Sequence, residues 1–118
     1  MDKDLTMYIL VNKDIEINKG KLAGQVGHAV AVYFYKKMDD ESMYDSTIEL
    51  YMEHDQKKII LYAKQSKLEE LESLGEIARD NGLTDLEPNT LTCVNLGIMD
   101  KNNISERYGF IKKLQLCR

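Results

Sequence analysis

The spacing of hydrophobic positions changes several times along the chain, and each change predicts a different element. Residues 6–12 and 58–64 are almost continuously apolar, a pattern typical of strands that are covered on both faces. The second of these runs has charged flanks and predicts a central strand. Residues 90–96, where apolar and polar positions partly alternate, and residues 110–116 predict two further strands.

Helical spacing separates the first two predicted strands. Residues 19–35 repeat apolar side chains every three or four positions, which predicts a long helix with one face in the core. Residues 47–54 predict a short second helix, preceded by acidic and serine residues that are candidate caps. The residues expected to face the core are Leu22, Val26, Ala29, Val30 and Tyr33 in the first helix and, in part, Ile48, Leu50, Tyr51 and Met52 in the second.

A third helix carries the clearest local signals. Ser66 and Glu69 have the spacing of an N-terminal capping box, in which the side chains and backbone N–H groups of the two residues pair reciprocally. Apolar residues then recur at helical spacing until Asn81 and Gly82, a pair that favours helix termination. These signals predict a helix over residues 66–81.

The order of these elements predicts the fold. The series β-α-α-β-α-β-β indicates an α/β protein with a small mixed four-stranded sheet and helices on both faces. A chain of 118 residues is long enough for one hydrophobic core without disulfides or metal. We therefore expect a single domain that spans residues 1–118.

Composition narrows the range of functions. Hydrophobic residues make up 43% of the chain, and no apolar run approaches the ~18 residues of a membrane span. The first residues include acidic side chains and predict a strand rather than a secretory signal, which favours a cytoplasmic location. The net charge of −4 argues against a protein that binds nucleic acid over its whole surface. Cys93 and Cys117 lack the spacing of a redox or zinc motif and are expected to be buried thiols.

Positive charge is nevertheless concentrated in a few places. A local patch that binds an anion is one interpretation, and solvated ends of helices and strands are the other. The lysines concerned are Lys19, Lys21, Lys36, Lys37, Lys112 and Lys113.

The first helix divides into three faces. Besides the apolar stripe, Gly24, Gly27 and Ala31 form a face with almost no side chain, although each glycine inside a helix costs about 1 kcal/mol relative to alanine. This face predicts a close approach, and a neighbouring helix or the sheet is favoured over a ligand. A helix–helix contact in a dimer is a further alternative.

The third face of the helix is polar. It consists of Lys21, the amide of Gln25 and the imidazole of His28. It lies in the N-terminal half of the helix, where unpaired backbone N–H groups favour an anion.

The helix-opening sequence KGKLAGQVGHA, residues 19–29, closely resembles the K-G-K-x-A-A-Q-x-x-H-A signature of type-2 peptidyl-tRNA hydrolases, the archaeal and eukaryotic kind. It follows the strand sequence MYILVNKD, residues 7–14, which is similar to the M-x-L-V-V-R-x-D of that family. The predicted order of elements matches the family's four-stranded mixed fold, so the resemblance covers nearly the whole chain.

This resemblance implies an enzyme that cleaves the ester joining a peptide to the terminal ribose of a tRNA. It implies tRNA as the partner, no metal or organic cofactor, and a homodimer as a plausible assembly. Lys21 is the leading catalytic candidate, since a lysine can stabilise a developing oxyanion or hold a phosphate. Lys19, Gly20, Gln25 and His28 are implied to bind substrate. His28 has an ordinary pKa suited to a general base, but a structural role is the favoured interpretation.

The second family motif is shortened here. The family carries D-A-G-x-T-Q-I-x-P-G-T, whereas residues 82–90 of this chain read GLTDLEPNT and keep only the final part. Asp85 is the acidic candidate for the motif's aspartate, and Thr90 or Thr84 would supply its threonine. The closing T-G-H-L-K-L-L is partly kept as YGFIK, which retains Lys112 as a substrate-binding candidate and replaces the histidine by phenylalanine.

Two functions of different class therefore follow from the sequence. The first is a working esterase on peptidyl-tRNA, with Lys21, Asp85 and Thr90 as catalytic residues. The second is a protein of the same fold that has lost or changed this chemistry and binds a nucleotide, an RNA end or a protein partner at the start of the first helix. The shared fold does not decide between them, because function depends on the site.

Overall fold

The computed structural model describes residues 3–39, 46–73, 75–79 and 89–118. The helices and strands of this part of the chain are, in order, β1 (Leu5–Asn12), α1 (Lys19–Asp39), α2 (Ser46–Glu53), β2 (Lys57–Ala63), α3 (Gln65–Leu71), β3 (Glu76–Arg79), β4 (Leu91–Asp100) and a 3-10 helix (Glu106–Lys113).

A mixed sheet forms the centre of this α/β fold. Strand β1 runs parallel to β2, with Thr6 opposite Lys57, and antiparallel to β4 on its other side. These three strands form the main part of the sheet. The four-residue β3 pairs antiparallel with β4, so the strand order is β2-β1-β4-β3. β2 is therefore an edge strand, and the prediction that residues 58–64 lie at the centre is wrong. β2 is nevertheless apolar, because its alternate side chains pack into the hydrophobic clusters on the two faces of the sheet.

The outer edge of β2 is covered by the residues that follow the 3-10 helix. The backbone N–H of Tyr62 donates to the carbonyl of Gln115 at 2.8 Å, and that of Cys117 donates to the carbonyl of Ile60 at 2.9 Å. Residues 110–116, expected to form a strand, instead form the end of the 3-10 helix and one isolated bridge at Leu116. The strand prediction fails because Ile111 is buried on a face of the sheet instead of at its edge.

Helices pack on both faces of the sheet. On one face Met7, Ile9 and Val11 of β1 pack with residues of α1 and α2, and on the other Tyr8 and Leu10 pack with residues of α3 and the 3-10 helix. Alternate side chains of a strand point to opposite faces, so a strand covered on both sides must be apolar throughout. This arrangement explains the continuous apolar run in β1.

The predicted helix over 66–81 starts within one residue of the observed helix, but its predicted end is wrong. The observed helix begins at Gln65 and ends at Leu71, after which Glu76–Arg79 joins the sheet as β3. A Cβ on Gly75 would lie 2.5 Å from the carbonyl oxygen of Asn95, so only glycine allows the chain to approach β4 here. The predicted termination signal at Asn81 and Gly82 lies outside the described residues.

The helix start at α3 is also capped differently from the prediction. Lys64 occupies the N-cap position and its side chain makes no capping hydrogen bond. Instead, the backbone N–H of Gln65 donates to the carboxylate of Asp14 at 2.8 Å, across 51 positions of sequence. The predicted Ser66 capping box is therefore wrong, because a residue distant in sequence satisfies the exposed N–H.

Burial confirms most of the expected core and corrects it in three places. In α2, Ile48 and Tyr51 are buried, but Leu50 and Met52 are 40% and 44% exposed. Cys93 is fully buried as predicted, whereas Cys117 is only half-buried. No helix in the described part of the chain is long and apolar enough to cross a membrane.

Candidate active site at the carboxyl edge of the sheet

The starts of two helices and one strand meet where the parallel strands end. β1 ends at Asn12 and β2 at Ala63, and α1 and α3 begin after short connections from these points. β4 begins at the same edge, since the side-chain amide of Asn12 donates to the carbonyl of Leu91 at 2.9 Å. Ligands of α/β sheets bind most often outside the carboxyl ends of the strands. This edge is therefore the candidate functional site.

The start of α1 is fixed by Asn18. Its side-chain oxygen accepts a hydrogen bond from the backbone N–H of Lys21 at 2.8 Å, and its carbonyl accepts from the N–H of Leu22 at 2.9 Å. Asn18 is thus the N-cap, and sequence reasoning missed it although an asparagine just before a helical apolar pattern is a known signal. Lys21 lies half-buried in the first turn, and Lys19 and Gly20 before it are exposed.

A partly buried hydrogen bond holds Gln25 against β4. The hydroxyl of Thr92 donates to the side-chain oxygen of Gln25 at 2.7 Å, and Thr92 itself is fully buried. This bond connects α1 to the sheet one turn after Lys21 and fixes the orientation of the amide. Thr92 was not singled out from the sequence, because nothing local distinguishes it from Thr90. Thr90 lies half-buried directly before β4, two positions away.

The small-residue face of α1 is open to solvent. Gly24, Gly27 and Ala31 are exposed, and a Cβ added to either glycine would meet no described atom within 4 Å. The expectation that a neighbouring helix or the sheet packs on this face is therefore wrong for the described part of the chain. His28 is exposed on the same helix, two turns after Lys21.

Two further site predictions lie elsewhere. Lys112 is exposed in the 3-10 helix, whose Ile111 packs on the face of the sheet opposite α1. Asp85 and Thr84 lie outside the described residues.

The cysteine near this edge of the sheet is part of the core. Burial raises the pKa of the Cys93 thiol to about 12, so this side chain stays protonated at neutral pH and is a core residue. Among the described residues, no three histidine, cysteine or acidic side chains come together as a metal site would require.

The fold and the site together define a class of protein. It is a mixed α/β protein whose first helix offers a lysine in its opening turn and a fixed amide in the next, at the carboxyl edge of a parallel strand pair. Such an arrangement suits an anionic ligand or a substrate that develops negative charge.

Comparison with known proteins narrows the class. Residues 5–117 match the family model described as "Peptidyl-tRNA hydrolase PTH2". A "Peptidyl-tRNA hydrolase" of Methanopyrus kandleri is 36% identical over 99 residues, which cover 75% of this chain and 80% of the relative. A protein of the same name from Thermoplasma acidophilum is 31% identical over 118 residues, which cover 92% of this chain and 97% of the relative. The chain belongs to the peptidyl-tRNA hydrolase PTH2 family.

Proposed function

We propose that this chain is a peptidyl-tRNA hydrolase, which cleaves the ester between a peptide and the terminal ribose of a tRNA. The observation that carries the proposal is the family match over residues 5–117. This range includes Lys21 at the start of α1 and the preceding strand β1. Relatives named for this activity cover most of the chain at 31% to 36% identity. The substrate class is peptidyl-tRNA, and the reaction is ester hydrolysis.

Lys21 is proposed as the central catalytic residue. In ester hydrolysis water attacks the carbonyl carbon and gives up a proton, and the carbonyl oxygen becomes negatively charged. The bond between the carbonyl carbon and the ribose oxygen then breaks, and the ribose oxygen takes up a proton and leaves as a hydroxyl. A cationic side chain in the first turn of α1, supported by the partial positive charge of the helix start, would stabilise that oxygen. The N-cap bond of Asn18 fixes the backbone from which Lys21 projects.

Asp85 and Thr90 are proposed to complete the catalytic set. Asp85 would orient or deprotonate the attacking water, and the Thr90 hydroxyl would hold the water or the ester by a hydrogen bond. Thr90 is supported by its position directly before β4, at the edge where α1 begins. Lys19, Gly20, Gln25, His28 and Lys112 are proposed to bind substrate.

The remaining proposals concern the setting of the enzyme. We propose that residues 1–118 act as one domain in the cytoplasm, where peptidyl-tRNA is produced, and without a metal or organic cofactor. A homodimer is also proposed, supported by the exposed apolar side chains of Tyr35 and Met38 on α1. Light scattering of the purified protein measures its mass in solution, and a monomeric mass would contradict the dimer.

The experiment that tests the activity is release of free tRNA from peptidyl-tRNA by the purified protein. Lys21→Ala is expected to lower kcat by about 10²-fold or more, the scale for loss of one group that stabilises an oxyanion. The matched control is Lys101→Ala, which removes one exposed lysine from the turn after β4, at the opposite end of that strand.

The outcomes separate the two functions that the sequence left open. The esterase and its site are supported if wild type and Lys101→Ala release tRNA at similar rates and kcat of Lys21→Ala falls about 10²-fold or more. Absence of turnover in wild type at high enzyme concentration contradicts the esterase and favours the binding protein of the same fold.

A further inference from the structure

A cavity beside the candidate active site is lined by lysines from separate parts of the chain. Its volume is about 520 Å³, and Lys13, Lys64, Lys67 and Lys113 line it. We call it the lysine cavity. Its other lining residues are uncharged, namely Tyr62, Ala63, Ser66, Leu114 and Gln115. Four positive charges thus meet around one concave surface of a chain whose net charge is −4.

The tertiary structure alone creates this concentration of charge. Lys13 follows β1, Lys64 lies between β2 and α3, Lys67 is in the first turn of α3, and Lys113 ends the 3-10 helix. Because Lys13, the pair Lys64 and Lys67, and Lys113 are far apart in sequence, the grouping differs from the lysine clusters predicted from sequence. Among the lysines singled out in the sequence analysis, Lys113 alone lines the cavity.

The walls of the lysine cavity are held by hydrogen bonds. The N–H of Lys13 donates to the carbonyl of Ala63 at 3.0 Å, and the N–H of Tyr62 donates to the carbonyl of Gln115 at 2.8 Å. Lys67 is positioned by the Glu70 carboxylate at 3.3 Å and by the Phe110 ring at 4.2 Å from its centroid. The cavity is therefore formed before a ligand arrives, which lowers the entropy cost of binding.

Three of the lysines are available to a ligand. Lys13, Lys64 and Lys113 are exposed, and no ion pair between described residues involves them. The adjacent Asp14 carboxylate accepts the N–H of Gln65, which commits it to the start of α3. An anion with several charges would gain from each of these three ammonium groups.

The lysine cavity adjoins the candidate active site. Lys13, Tyr62 and Gln115 also line a second cavity of about 290 Å³, which extends to Ile17 and Leu22 at the start of α1. Leu22 directly follows Lys21. A polyanion bound in the lysine cavity would therefore have its neighbouring segment close to the catalytic candidate.

We propose that the lysine cavity binds the phosphate backbone of the tRNA acceptor arm and thereby places the terminal ester near Lys21. Lysine ammonium groups act on phosphates as point charges and carry no sequence information. Such a surface suits an enzyme that must accept many tRNAs. This inference rests on the proposed function for the identity of the RNA, and on the cavity for the binding itself.

The test compares two pairs of substitutions. Lys64→Gln with Lys113→Gln removes two charges from the lysine cavity, and Lys3→Gln with Lys101→Gln removes two exposed charges from the opposite end of the sheet as a control. All four lysines are exposed, so both double variants are expected to fold, which circular dichroism checks. Binding of deacylated tRNA is measured by fluorescence anisotropy over a range of KCl concentrations, and hydrolysis of peptidyl-tRNA is measured in parallel.

The cavity variant is expected to raise the Kd for tRNA about tenfold at moderate salt, and to reduce the slope of log K against log salt by about 0.7 to 0.9 per lysine removed. KM for peptidyl-tRNA should rise by a similar factor with kcat unchanged, since these lysines contact the part of the substrate that does not react. The control variant should match wild type.

A minimal substrate distinguishes a defect in tRNA binding by the lysine cavity from a defect in ester hydrolysis. A peptide esterified to adenosine keeps the reacting ester but lacks the acceptor arm, so the cavity variant should hydrolyse it at the wild-type rate. Equal tRNA binding and equal salt slopes in the cavity and control variants would overturn the proposal even if the enzyme is active. Weakened tRNA binding in the cavity variant, with no turnover in wild type, would support the cavity and contradict the esterase.

Discussion

Gly97 shows how a single residue is specified by the fold. It lies within β4 with a φ of 91°, and the pairing of β1 with β4 shifts register beside it, between Tyr8 and Ile9. A Cβ at this position would lie 3.0 Å from the ring of Tyr33, which packs on the sheet from α1. Both the backbone conformation and the close ring favour glycine here.

Gly97→Ala is expected to lower the free energy of unfolding by about 1 to 3 kcal/mol, because alanine is strained at this φ and crowds Tyr33. Urea denaturation measures the change. The matched control is Gly24→Ala, where the added methyl meets open space within a helix, and stability should rise by about 0.5 to 1 kcal/mol. Equal midpoints for Gly97→Ala and wild type would show that the backbone at this position relaxes without cost.

At the scale of elements, Asn12 joins three of them. It is only 3% exposed at the end of β1. Its amide donates to the carbonyl of Leu91 at 2.9 Å and to the side chain of Gln65 at 3.2 Å, and its oxygen accepts from the N–H of Asp14 at 2.9 Å. One buried side chain thus holds the end of β1, the start of β4 and the start of α3 together.

Asn12→Ala is expected to cost about 2 to 3 kcal/mol of folding free energy, because it leaves the buried carbonyl of Leu91 and the partly buried N–H of Asp14 without their partner. Thermal and urea unfolding measure this loss. Asn102→Ala, in the exposed turn after β4, is the control and should change stability by less than about 0.5 kcal/mol. A loss no larger than that of the control would mean that water replaces the buried amide.

For the whole molecule, burial determines how stability depends on alkaline pH. Burial raises the pKa of Cys93 from 9.0, and that of Tyr51 from 10.0, to about 12 in each case. Both groups are neutral when protonated, so the native state retains these protons to higher pH than the unfolded chain. The stability that this provides is present below pH 9.0 and is lost as pH rises towards 12.

The free energy of unfolding is therefore expected to fall between about pH 9 and about pH 12, and to fall less steeply in Cys93→Ala. Urea unfolding at a series of pH values measures the slope. Val94→Ala truncates the adjacent core residue and serves as the control, since it should lower stability at every pH and keep the wild-type slope. Parallel slopes for Cys93→Ala and wild type would show that this thiol is not the group that titrates.

Much of the architecture follows from the sequence because its signals are local. The apolar runs of β1 and β2 and the helical period of α1 depend on residues within a few positions of one another, and the structure confirms these elements to within a few residues. The motif at the start of α1 likewise lies within eleven consecutive residues. It identifies the family, which the comparison over residues 5–117 confirms.

Other features depend on partners that are distant in sequence. Asp14 caps α3 across 51 positions, and Thr92 fixes Gln25 across 67. Gly75 brings Glu76–Arg79 to β4, where local spacing alone favours a continued helix. Backbone groups that come to a sheet edge or a helix start must find partners, and the tertiary arrangement decides which residues supply them.

The sequence by itself therefore determined the class of fold, the position of the first helix and its family. The tertiary structure decided the order of the strands, the end of α3, the cover on the edge of β2 and the grouping of four lysines beside the candidate site. The physical reason is the same in each case. Periodicity records how one segment meets the core, whereas pairing, capping and charge concentration arise only when separate segments are brought together.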